Sequence, residues 1–134
     1  MRLVAGYPIF VTDKLAECRA FYQRLGFEVI FEAKWFLYLS GAGDAPFSLA
    51  FMTPDHPSTP PRPGVFADGA FITLQVENAA TAYETLRSQG LEMAYELHDE
   101  PWGQRRFALT DPAGIWVDVV EQTEAAPGFW DPYL

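Results

Sequence analysis

The chain repeats itself. A polar helix start at Asp13 is matched by Asn78, sixty-five residues on, and Gly26 is matched by Gly90, sixty-four residues on. The words around the second mark agree as well, Gly26-Phe27-Glu28-Val29 against Gly90-Leu91-Glu92-Met93. Each half reads strand, polar cap, helix, glycine, then three strands. An internal repeat constrains architecture more tightly than a single motif, because both copies must solve the same burial problem. One helix can cover one face of each sheet, so the other face must be covered by something else or line a cavity.

The spacing predicts the elements in order. Leu3 to Val11 is rich in β-branched and aromatic residues and reads as a strand, after which Thr12 or Asp13 caps a helix. Leu15, Cys18, Tyr22 and Leu25, with Phe21 beside them, recur at helical spacing, and Gly26 supplies the left-handed stop. Strands are expected at Phe27 to Ala33, Lys34 to Ser40 and, after the Gly41-Ala42-Gly43-Asp44 turn, Pro46 to Thr53. Pro54, Pro57, Pro60, Pro61 and Pro63 rule out a helix or a central strand, so 54–68 reads as an extended, semi-rigid linker between the halves. The second copy runs from a strand at Ala70 to Val76, through a helix capped by Asn78 with Ala79, Ala82, Tyr83 and Leu86 on its apolar face, to Gly90 and a strand at Leu91 to His98. A hairpin closes it, Gln104 to Thr110 and Ile115 to Val120, turned by Asp111-Pro112-Ala113-Gly114. Alternation along the last strand puts Trp116, Asp118 and Val120 on one face and Ile115, Val117 and Val119 on the helix side.

A chain of 134 residues, 49% of them hydrophobic, is most simply one domain with a core large enough to do without disulfides. Its boundaries are expected at 1–53 for module one, 54–68 for the linker, 69–123 for module two and 124–134 for an apolar tail. The single Cys18 cannot form an intramolecular bridge, and no apolar run approaches the roughly 20 residues that span a bilayer. With no signal-like start, the expected compartment is the cytoplasm. The net charge of −9 argues against a nucleic-acid partner and is compatible with a cationic ligand. The serines at 40, 48, 58 and 88 have no His and acid signature around them, and no glycine-rich phosphate loop precedes a helix. Neither catalytic residues nor a cofactor are therefore expected.

Two stretches carry a family resemblance, Phe21-Tyr22-Gln23-Arg24-Leu25-Gly26-Phe27 at the end of the first helix and Asp111-Pro112-Ala113-Gly114 in the last hairpin. With these, the chain resembles the vicinal oxygen chelate superfamily, the group of glyoxalases, bleomycin-resistance proteins and extradiol dioxygenases. Glu100-Pro101-Trp102-Gly103 before Phe107-Ala108-Leu109 is more similar to the bleomycin-resistance branch than to glyoxalase I. The resemblance implies an α+β fold of two βαβββ modules, whose curled mixed sheets form a cup-shaped cleft. It also implies metal ligands, in the enzymes of the group, on the first and fourth strands of each module. Those positions fall at Gly6, near Ser48 or Ala50, at Phe71 and at Asp118, so three of four lack a good ligand. Catalytic divalent sites commonly use three or more His or carboxylate ligands, and this chain has only His56 and His98 among its histidines. His98 and Asp118, with Glu100 nearby, are the weak metal candidates, and no metal is expected.

Within such a cup, alternation assigns Gly6, Pro8 and Phe10 on the first strand, Phe71, Thr73 and Gln75 on the fifth, and Trp116, Asp118 and Val120 on the last. The ligand-binding candidates are Trp35, Tyr38, Phe71, Trp102, Trp116 and Asp118. A largely aromatic concave surface suits a flat or partly apolar molecule. Asp118 between apolar neighbours needs a partner, and Arg105, Arg106 and a ligand cation are the candidates. The resulting expectation is a small-molecule-binding protein of the bleomycin-resistance type, sequestering a drug rather than transforming it, as a homodimer. The alternative is a metal-dependent lyase, isomerase or dioxygenase-like enzyme with an atypical site. Phe129, Trp130, Tyr133 and Leu134 are too apolar to hang in water and are expected to dock on this subunit or its partner.

Overall fold

A computed structural model of the chain describes residues 1–2, 5, 7–43, 47–60 and 70–134. Its order is β1 (Ile9–Val11), α1 (Leu15–Arg24), β2 (Glu28–Ala33), β3 (Phe36–Ser40), β4 (Ser48–Met52), β5 (Phe71–Gln75), α2 (Ala79–Ser88), β6 (Tyr95–Glu100), β7 (Gln104–Thr110) and β8 (Trp116–Gln122), with a short 3-10 turn at Asp131–Tyr133. The described residues form two compact units, one built on the first four strands and one on the last four. The sheets repeat one topology: β1-β4-β3-β2 in the first and β5-β8-β7-β6 in the second. In each, the outer pair (β1 with β4, β5 with β8) is parallel and the rest antiparallel. This is the α+β fold of two βαβββ modules that the repeat requires.

The helix ends show why the repeat is legible. After α1, Gly26 takes φ 92°, its N–H bonds the Gln23 carbonyl at 3.0 Å, and the Phe27 N–H bonds the Tyr22 carbonyl at 2.9 Å. After α2, Gly90 takes φ 85°, with Gly90 N–H on Arg87 O at 2.9 Å and Leu91 N–H on Leu86 O at 3.2 Å. Both are the same paired closure of orphan carbonyls, and both need a left-handed residue that glycine adopts without strain. The starts differ. Asn78 Oδ1 accepts from the Thr81 N–H at 3.0 Å, as a cap should, and Glu121 Oε1 accepts the Ala79 N–H at 2.8 Å. At α1 the cap position falls on Lys14, one residue later than expected, because the Thr12 hydroxyl is used to accept the Lys14 N–H at 3.2 Å.

In the first unit, Cys18, Phe21 and Tyr22 of α1 are buried, and so are Leu37, Leu39, Leu49 and Phe51 of the sheet. The Tyr22 ring lies 5.5 Å from Phe51 and 5.3 Å from Phe27. In the second, Ala79, Tyr83 and Leu86 of α2 are buried together with Phe107, Val117, Val119 and Ile72, and Tyr83 meets Phe107 edge-on at 5.2 Å.

Several boundaries move for identifiable reasons. The face assigned to the first strand is reversed: Phe10 registers with Phe51, whose ring is on Tyr22, so Phe10 lies on the helix side and Ile9, opposite Ala50, on the other. Gly6 lies outside the described residues. Leu91 to Ala94 is not strand, since the Leu91 N–H is spent on closing α2, and β6 begins at Tyr95. Lys34 and Trp35 form the turn between β2 and β3 rather than the start of β3. Residues 54–60 are turned, not extended: Thr59 N–H reaches back to His56 O at 2.9 Å and its hydroxyl to Thr53 O at 2.7 Å. The remainder of the expected linker, 61–68, lies outside the described residues.

Candidate functional site

The Asp-Pro-Ala-Gly turn sets the geometry of the second sheet. Asp111 is buried, its Oδ1 accepts the Ile115 N–H at 2.8 Å, its own N–H bonds Ile115 O at 2.8 Å, and Gly114 takes φ 89°. With Asp111 tied to Ile115, the hairpin register follows: Thr110 opposes Trp116, Ala108 opposes Asp118 and Arg106 opposes Val120. On the other side of β8, Phe71 opposes Trp116 and Thr73 opposes Asp118. One face of the sheet, away from α2, therefore carries Phe71, Thr73, Arg106, Ala108, Trp116 and Asp118 in neighbouring rows.

Asp118 is only 5% exposed and sits between two small neighbours, Thr73 and Ala108. Their size leaves room above the carboxylate, and a long side chain on the diagonal can reach it. Arg106 does so, its Nη1 donating to Asp118 Oδ2 at 3.1 Å. The same guanidinium donates through Nε to Glu100 Oε1 at 3.2 Å. Its central carbon lies 5.2 Å from the Trp102 ring and 5.8 Å from the Tyr95 ring, within cation–π range. Burial works against the Arg106 charge, but hydrogen bonds and attraction from Asp118 and then Glu100 outweigh it and hold the guanidinium above its ordinary value. Burial likewise pushes the Glu100 carboxyl up, while hydrogen bonds from His98 and Arg106 overcome it and leave the group below its ordinary range.

Arg105, the other candidate partner for Asp118, is on the opposite face. It opposes Glu121 and pairs with exposed Asp99, Nε to Oδ1 at 2.6 Å, which lowers the Asp99 carboxyl. His98 and Glu100 are brought to the Arg106 face by a bulge in β6: Tyr95 opposes Ala108, but His98 opposes Arg106, a slip of one residue. That slip places Tyr95 and His98 on one face although they are an odd number of positions apart, and their rings stack at 4.3 Å. His98 Nε2 contacts Glu100 Oε1, and its Nδ1 lies 2.6 Å from Glu96 O.

The outcome is a recess of about 470 Å³ in the second unit, lined by Ala70, Phe71, Arg106, Trp116 and Asp118. Three of the expected ligand-binding residues, Phe71, Trp116 and Asp118, meet there. Phe71 is 64% exposed, which for a phenylalanine on a sheet face is an unfilled contact. Trp102 sits beside them through Arg106, with its Nε1 donating to Gln104 Oε1 at 2.9 Å. Trp35 and Tyr38 belong to the first unit. There Trp35 stacks flat on His56 at 3.7 Å and Tyr38 packs on Tyr7 at 4.9 Å. Arg106, Glu100 and Tyr95 are site residues that alternation alone did not assign. What separates Arg106 from Arg105 is the register of the folded hairpin: with Asp111 paired to Ile115, Arg106 shares a face with Asp118 and Arg105 does not. A second recess, about 330 Å³ beside the start of α1, is lined by Asp13, Glu17, Arg19, Glu32 and Lys34 among others. Its Arg19–Glu32 pair at 2.8 Å is well exposed, as solvated surface charges are.

The metal that the enzymes of the resembled group would place here does not suit these residues. His98, Glu100 and Asp118 do lie in one network, but Arg106 bridges the two carboxylates, so a divalent ion would have to sit against a guanidinium. Among the described residues no three His, Cys, Asp or Glu side chains are grouped to hold a metal ion. Ala50 carries no donor, and Phe71 none.

The tail packs on its own chain. Thr123 N–H bonds Gly103 O at 2.8 Å, Ala126 N–H bonds Pro101 O at 2.8 Å, and Trp130 Nε1 donates to Trp102 O at 3.0 Å. Phe129 approaches the Trp102 ring at 6.4 Å, while Tyr133 and Leu134 remain exposed. Among the described residues no helix is long and apolar enough to cross a membrane.

A family profile described as Glyoxalase/Bleomycin resistance protein/Dioxygenase superfamily matches residues 5–119. No curated protein matches the chain. Among solved structures, a glyoxalase/bleomycin resistance protein/dioxygenase from Nocardioides is 25% identical at a TM-score of 0.71, over 96% of this chain and 89% of that one. A bleomycin-binding protein complexed with bleomycin is 24% identical at 0.62, over 90% of this chain and 99% of that one. A lactoylglutathione lyase from Agrobacterium tumefaciens is 20% identical at 0.66, over 90% and 96%. The last two likenesses are likenesses of fold.

Proposed function

We propose a function from one premise: this chain belongs to the glyoxalase/bleomycin resistance protein/dioxygenase superfamily. On that premise the second unit is a non-covalent binder of a small organic molecule, of the drug-sequestering kind. The observation that carries the reading is the recess lined by Phe71, Trp116 and the hydrogen-bonded Arg106–Asp118 pair. Its volume is on the scale of small-molecule sites, and aromatic walls with few, fixed polar groups are how such sites recognise flat ligands. Sequestration needs affinity and no acid, base or nucleophile, so the residues present are sufficient for it. The fold likeness to a protein that binds bleomycin makes that drug the first ligand to test, and the charge of −9 would draw a cationic drug toward the surface.

Isothermal titration with bleomycin and related glycopeptides tests this. Heat of binding that is lost in Phe71→Ala is the expected result. No heat at any soluble concentration removes the drug-binding reading. Formation of lactoylglutathione on addition of zinc, nickel or manganese would replace it with the lyase alternative.

A further inference from the structure

We propose that the ligand of the second-unit recess is recognised through an oxygen acceptor, a carbonyl or carboxylate, which docks on the free edge of Arg106 while its flat part lies on Phe71 and Trp116. The inference rests on the binding reading above and adds the chemistry of the ligand.

Two facts lead to it. First, Asp118 is not available to a ligand cation. It is 5% exposed and already bonded by Arg106, so a cationic group could reach it only by displacing a guanidinium that Glu100 also holds. Second, Arg106 has donors to spare. A guanidinium has five N–H donors in a rigid fork. Nε is used on Glu100 and Nη1 on Asp118, whereas Nη2 makes no hydrogen bond among the described residues, on a side chain that is 26% exposed and lines the recess. The two carboxylates and the Trp102 and Tyr95 rings fix the plane of the fork, so the remaining edge is pre-oriented and loses little freedom when it binds.

Three isosteric probes separate the cases: 2-naphthoate, 2-naphthamide and 2-naphthylmethylamine, each titrated calorimetrically into the full chain. The expected order is acid and amide tighter than amine by roughly tenfold or more, the worth of a hydrogen bond to a charged group. Arg106→Lys, which keeps a cation for Asp118 but removes the fork, should erase that preference while Phe71→Ala weakens all three probes alike. If Arg106→Lys does not melt cooperatively, the double change Arg106→Gln with Asp118→Asn serves instead, since it removes both charges of the pair. Equal binding of the three, tighter binding of the amine, or a preference that survives loss of the fork overturns the acceptor assignment and leaves the recess standing. No binding by any of the three removes the recess as a site, and the acceptor with it.

Discussion

Replacing Arg106 with Gln tests the central contact of the second unit. The change leaves Asp118 nearly buried with no cation beside it. Removing one partner of a buried ion pair costs about 3–5 kcal/mol. Here Arg106 is itself 26% exposed, and water can partly take its place. That discounts the figure to roughly 2–3 kcal/mol, to which lost packing on Trp102 and Tyr95 adds about 0.5 kcal/mol. At roughly 2.1 cal/mol/K per residue, a chain of 134 residues has an unfolding entropy of about 0.28 kcal/mol/K, so ~3 kcal/mol corresponds to a fall of about 10 °C in Tm. The double variant Arg106→Gln with Asp118→Asn should recover most of that loss, because the penalty lies in the orphaned charge rather than in the missing contact. Acidification supplies an internal check. The Glu100 carboxyl is held below its ordinary value of 4.5 in the fold, so its contribution is fully present above that value and is lost as pH falls through the folded one. Arg106 is one of the donors that hold it there, and the gap between wild type and Arg106→Gln should narrow in acid. Arg105→Gln is the control, since its pairing with Asp99 is exposed, and its melt should match wild type. Scanning calorimetry at neutral and acid pH reads all of this. A shift below about 2 °C for Arg106→Gln, the scale of a surface pair, would refute the claim that Asp118 depends on it.

The remaining predictions concern the frame around the site. Gly103 takes φ 105°, and a Cβ there would lie 2.9 Å from Thr123 O, so Gly103→Ala should cost about 2 kcal/mol or more and detach the tail, which increased proteolysis after Gln122 would report. Truncation after Thr123 removes the Ala126 and Trp130 hydrogen bonds and uncovers Trp102. It should lower stability by about 1–2 kcal/mol and change tryptophan emission, and an unchanged melt would show that the tail contributes nothing. Asn78→Ala should cost about 1 kcal/mol through loss of the bond to the Thr81 N–H, measured by urea denaturation, and Asn78→Asp should retain it.

Much of the fold was legible because its signals are local. The stops at Gly26 and Gly90 are demands for a left-handed residue, met within five residues of chain. Asn78 caps its own helix, and Asp111 closes its own turn. Repetition of these local marks revealed the two βαβββ modules, and the family follows from the chain as a whole. The need of Asp118 for a partner was also readable, since a carboxylate among apolar neighbours on a strand is costly wherever the strand goes.

What the sequence alone left open is whatever depends on how two strands slide past each other. A slip of one residue moves a side chain to the other face. For β1 that reversed the placement of Phe10, because the partner in register, Phe51, belongs to the helix side. For β6 it was a bulge that brought Tyr95, His98 and Glu100 to one face, which strict alternation does not allow. For Asp118 it was the register of β7 on β8 that chose Arg106 and sent Arg105 outward to Asp99. Local chemistry thus determined which residues had to cap, turn or be paired. Tertiary register decided with whom, because the period of a strand is two residues and the energy that sets it comes from the neighbouring strand.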